Sequence, residues 1–137
     1  MQRAVHRLFY IFIIYVSFFT KIFAVDKTIG VLNIVDKNED ELSALNYKGE
    51  PYISVKEISR ILSDRKPFEN TARQKIVLYF SDNRLKISNL SSFIVVNDKI
   101  YQMTKNAIGK NDDIYVPAKS FFSIIKNSIY PGVEYDS

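Results

Sequence analysis

An α+β fold, built of two β-hairpin/helix repeat units with the helices packed on a mixed, mostly antiparallel sheet, is predicted by three observations. The stretch 53–62, ISVKEISRIL, returns at 116–125 as VPAKSFFSII, an offset of 63 residues. Both copies hold apolar residues at helical spacing. Around them lie short β-branched runs that alternate with period two and are bounded by turn residues. Superposing the copies sets Ile53 on Val116, Lys56 on Lys119, Ile58 on Phe121, Ile61 on Ile124 and Leu62 on Ile125, so one unit is used twice.

The units span about 28–90 and 91–137. The second is incomplete, because internal analogy calls for a strand like 75–80 after 133–137. With 47% hydrophobic and 14% aromatic residues, a chain of 137 residues has material for one core, hence one domain. The formal charge of +4 leans on Arg3, Arg7 and Lys21; beyond them basic and acidic residues nearly balance. That argues against a nucleic-acid partner. Cysteine is absent, which excludes disulfides and thiolate metal sites and is compatible with export.

The first 24 residues carry two arginines and His6, then the apolar run 8–19, LFYIFIIYVSFF, and a small residue at Ala24. This is the layout of a secretory signal peptide cleaved after Ala24, leaving 25–137 to work in the periplasm, the cell envelope or outside the cell. The alternative is an uncleaved anchor, the single route by which this chain would meet a membrane.

Residues 28–35, TIGVLNIV, are rich in β-branched side chains and predict a first strand. Residues 36–42 form a polar connection that opens like a calcium loop with Asp36, Asn38 and Asp40. The likeness fails at Glu41, where glycine is needed, and at Tyr47, where a bidentate carboxylate is needed. After a turn at 47–51, Tyr52 and Ile53 lead in extended form to Ser54, which with Glu57 makes a capping box, so a helix starts at Val55. Its stripe is Val55, Ile58, Ile61 and Leu62, and Lys66 with Pro67 stops it.

Residues 68–74 are a polar turn region. Residues 75–80 and 84–88 predict a hairpin, and 93–96 with 99–103 a second one around Asn97 and Asp98, residue types that tolerate positive φ. A loop over 104–113 and a short strand at 114–116 precede the second helix. Pro117 replaces Ser54 there, a residue suited to a helix start. Ala118, Phe121, Phe122 and Ile125 line one face of this helix, and Asn127 with Pro131 ends it.

Taken together, ISVKEISRIL at 53–62, KIVLYF at 75–80, FIVVNDKIYQM at 93–103 and IYVPAKSFFSII at 114–125 resemble the copper amine oxidase-like N-terminal domain, a repeated secreted bacterial module. The likeness covers about residues 47–135, with Ser54 departing from the family's proline. Together with the signal segment it is similar to the amino-terminal region of secreted N-acetylmuramoyl-L-alanine amidases, which cut peptidoglycan between glycan and stem peptide. The resemblance implies a non-catalytic wall-targeting or spacer module, with peptidoglycan or the catalytic domain of a longer parent as partner. Zinc would belong to that catalytic domain and no cofactor to this chain.

The residues agree with that implication. His6, in the segment expected to be removed, is the one histidine, so residues 25–137 offer no histidine for zinc, copper or a Ser-His-Asp triad. Asp112 and Asp113 are adjacent in a polar loop, a poor basis for a glycosidase pair. The four glycines form no phosphate cradle. For binding, Arg60, Arg65, Lys66, Arg73 and Lys75 gather at the end of the first helix, where they would meet acidic wall polymers or simply form a solvated helix end. Tyr47, Tyr52, Tyr101 and Tyr115 would stack on sugar rings or pack at strand ends. The ligand-binding candidates are Tyr52, Arg60, Arg65, Lys66 and Tyr115. Residues 89–91 match a glycosylation sequon. The competing function is a self-standing envelope protein completed by a partner or by dimerisation through an unpaired edge near Val133.

Overall fold

The structure, a computed structural model, describes residues 25–33 and 38–136. The expected signal segment and its cleavage site at Ala24 lie outside those residues, as does Asp36 of the calcium-like run. Eleven strands and two helices are described: β1 (Val25–Asn33), β2 (Asn38–Tyr47), β3 (Glu50–Ser54), α1 (Val55–Leu62), β4 (Phe68–Asn70), β5 (Lys75–Phe80), β6 (Asn83–Ser88), β7 (Phe93–Val96), β8 (Lys99–Gln102), β9 (Ile108–Lys110), β10 (Asp113–Pro117), α2 (Ala118–Ser128) and β11 (Val133–Asp136).

The fold is α+β. Its strands form two sheets, one of six in the order β11-β1-β2-β3-β10-β9 and one of five in the order β4-β5-β6-β7-β8. Every described pairing is antiparallel. In the five-stranded sheet the pleat sends Ile76, Leu78, Leu85, Ile87, Ile94 and Val96 to one face, where all are buried. They belong to a single hydrophobic cluster with Ile53 and Val116 of the other sheet and with Ile58, Phe121, Phe122 and Ile125 of the helices. The helix α1 touches β10 and β5, and so both sheets, whereas α2 touches β11, β3 and β10.

The repeat is realised in an unexpected register. Strands β3 and β10, which feed the two helices, lie side by side, and Ile53 faces Val116, its own counterpart at the 63-residue offset. On either side Tyr52 faces Pro117 and Ser54 faces Tyr115.

Three local expectations are corrected. The polar connection over 36–42 is strand from Asn38 onward, because Leu42, Ala44 and Leu45 are buried between β1 and β3 and carry the charged 38–41 segment along. Residues 68–74 contain β4, and the loop 104–113 contains β9, each a three-residue strand completing a ladder begun by a longer neighbour. The turn between β9 and β10 is formed by Asn111 and Asp112, with φ of 51° and 58°, much as Asn97 and Asp98 turn at 49° and 78°. The edge expected near Val133 is one side of β11: Val133–Asp136 pairs with β1 and, among the described residues, with no strand on its other side. Tyr135 there stacks on Phe122 at 4.9 Å and an interplanar angle of 19°.

Candidate ligand-binding surface at the end of α1

The start of α1 is fixed by more than its own sequence. The Ser54 hydroxyl accepts from the Glu57 amide at 3.0 Å. The Glu57 carboxylate, expected to reach back to the Ser54 amide, instead accepts from Ser43 N–H on β2 at 3.1 Å. Asp113 on β10 takes part in the cap, accepting from the Ser54 hydroxyl and, at 3.3 Å, from the Lys56 amide. Its carboxylate is thereby committed to the helix N-terminus, and Asp112 lies in the exposed turn.

The end of α1 is pinned to the five-stranded sheet. The Ser63 hydroxyl donates to Tyr79 O at 2.8 Å, Asp64 N–H donates to the same carbonyl at 3.0 Å, and Asp64 accepts from Ser81 N–H. This strap carries Arg65 onto the Tyr79 ring, with the guanidinium 4.4 Å from the centroid. Around it opens a hollow of about 350 Å³ that takes in Arg60, Arg65, Lys66, Ser59 and Ser63. Lys56 and Glu69 also line it and hold each other at 3.1 Å, so its one carboxylate is already matched. A neighbouring hollow of about 380 Å³ shares Arg65 and adds Tyr79, Arg84, Asp82 and Asp98.

Three of the five sequence candidates, Arg60, Arg65 and Lys66, therefore share one hollow. Arg73 stands in the β4–β5 turn, where its amide donates to Asn70 at 3.0 Å. Lys75 faces a separate cleft of about 260 Å³ between β4–β5 and β9–β10, together with Glu69, Asp112 and Asp113.

Tyr52 is corrected as a sugar-stacking residue: it is 0% exposed, its ring meets Tyr47 edge-on at 5.3 Å, and its hydroxyl donates to Asn106 O at 3.1 Å. Burial first, then the charge of Glu50 and the neighbouring Tyr47, pushes that phenol up to about 12. Tyr115 is half-buried on β10 near the opposite end of α1 and lines none of the three hollows. Burial, Asp113 and Glu57 raise its pKa in turn. Tyr101 packs against the core cluster.

The sequon at 89–91 also has a structural use. The Asn89 side chain accepts from Gly109 N–H at 2.6 Å and donates to Gln74. Sequence reasoning missed this brace and the Asp113 cap, since each joins residues distant in the chain.

No curated protein and no solved structure matches the chain. One family model does, that of the copper amine oxidase N-terminal domain, over residues 34–131. This span takes in β2 through α2, the repeated strand-helix element twice over and most of the 137 residues. The chain belongs to the copper amine oxidase N-terminal domain family.

Proposed function

We propose that this chain is the non-catalytic N-terminal module, for wall targeting or as a spacer, of a secreted peptidoglycan hydrolase of the N-acetylmuramoyl-L-alanine amidase type. The observation that carries the targeting role is the convergence of Arg60, Arg65 and Lys66 on one hollow whose single carboxylate, Glu69, is matched by Lys56. Such a site suits the carboxylates of stem peptides or an acidic wall polymer, since guanidinium groups bind carboxylates through paired hydrogen bonds. Stacking of Arg65 on Tyr79 keeps that fork in place and lowers the ordering cost of binding.

Co-sedimentation with purified, lipid-free sacculi tests it. The chain is expected to pellet, and the triple substitution R60A/R65A/K66A to weaken binding at least tenfold with the fold intact by circular dichroism. An unaltered supernatant fraction for the parent chain ends the targeting role. The amidase association is checked in the coding sequence beyond codon 137, where zinc-ligand histidines and a glutamate base are expected.

A second reading, a self-standing envelope protein that dimerises, is favoured by one observation: among the described residues β11 ends its sheet with only β1 beside it. A doubled mass in solution that reverts on substituting Glu134→Pro supports it.

A further inference from the structure

The five-stranded sheet has a second face, away from the core. Register places Phe68, Val77, Lys86, Val95 and Ile100 directly opposite one another from β4 to β8, a row that crosses the whole sheet. Phe93, two residues from Val95, lies on the same face. Large apolar side chains stand out from it: Phe68 is 55% exposed, Phe93 50% and Ile100 69%. None of the three opens into a hollow described above, so they are projections and not walls of a pocket.

Charge on this face has one sign. The strands direct Lys75, Arg84 and Lys86 to it and no carboxylate; Glu69 of β4 pairs with Ile76 on the inner face. The neighbouring acids stand at its margins: Asp82 and Asp98 in turns beside Arg84 at one end, and Glu69, Asp112 and Asp113 around the cleft that Lys75 lines. No ion pair engages Lys75, Arg84 or Lys86 among the described residues.

We infer that this face docks on an anionic lipid surface. Protruding phenylalanine and isoleucine enter the headgroup boundary while the flanking cations meet lipid phosphates. A second copy is disfavoured because it would set cations against cations. A protein partner would look for a concave seat for its anchoring side chains, and this face offers none. The site adjoins the hollow at the end of α1 where Arg65 lies on Tyr79, but it does not depend on the wall-related role.

The absence of cysteine allows a local test on the full chain. An environment-sensitive fluorophore is placed at Ile100→Cys or, as control, at Ser123→Cys on the exposed side of α2. Vesicles of phosphatidylglycerol and phosphatidylcholine are expected to blue-shift the label at position 100 and not at 123. Because the label reports one face, binding through the apolar run at 8–19 does not mimic the result. Introducing K75Q/R84Q/K86Q is expected to weaken the effect about a hundredfold, at about fivefold per cation. Introducing F68S/F93S is expected to abolish the shift. The proposal is overturned by no shift, by equal shifts at both positions, by equal response to pure phosphatidylcholine, or by a shift that grows with protein concentration without lipid. A shift with an alternating Glu–Leu peptide but not with vesicles assigns the face to a protein and overturns it equally.

Discussion

Ser54 and Asp113 show how one residue's worth depends on another 59 positions away. The cap by Ser54 is legible in the sequence because Ser-x-x-Glu is a local signal, but Asp113 enters only because β3 and β10 pair in one register. Replacing Ser54 or Asp113 by alanine is expected to cost about 1–2 kcal/mol each in urea unfolding. The double variant should cost less than the sum, since the two share one network.

Tyr52 is the opposite case, an aromatic whose type invited a ligand role while its position made it core. Its phenol is held neutral in the fold and titrates near 10 when unfolded, so it contributes stability that is complete below pH 10. That contribution is lost as pH rises toward about 12. Tyr52→Phe is expected to cost about 0.5–1.5 kcal/mol at pH 7 through the bond to Asn106. The same variant should show a shallower loss of stability between pH 10 and 12; Tyr115 and Tyr135, whose pKa values are also raised, leave a remainder.

At the scale of elements, both helices and the hairpins β5–β6 and β7–β8 could be read from periodicity because each buries one face of its own. The short strands β4 and β9 could not: three residues carry too little pattern, and their ladder partners, not their composition, make them strands. Asn111 and Asp112, the same residue pair that marks the β7–β8 turn, were the available signal for β9. What holds β9 is the Asn89 brace, and a Cβ added to Gly109 would come within 2.9 Å of the Asn89 side-chain amide. Gly109→Ala is therefore expected to destabilise by about 1–3 kcal/mol, with amide exchange rising first in 108–113. In α2, Phe121→Ala should cost about 3–5 kcal/mol because the ring is fully buried. Ser123→Ala, on the exposed side of that helix, should stay within about 0.5 kcal/mol.

Across the whole molecule, the division into two sheets was hidden by the repeat itself, which speaks of two equal units. The chain instead places the helix-feeding strands of both units in one sheet and the hairpins β5–β6 and β7–β8 in the other. That separation puts the basic hollow at the junction, where the Ser63–Asp64 strap crosses from α1 to β5, and explains why Arg60, Arg65 and Lys66 could be named from sequence but the hollow they share could not.

The facing of Ile53 and Val116 has a further implication. A half-turn about an axis between these two residues carries 52–54 onto 115–117, the same correspondence that the sequence offset dictates, and both helices begin one residue later. A polypeptide bearing one unit would thus own a self-complementary edge, able to close an isologous pair with its twin. In this chain the pair is covalently joined, and its two halves have become unequal at one corner: a serine braced by aspartate opens one helix, an unaided proline the other.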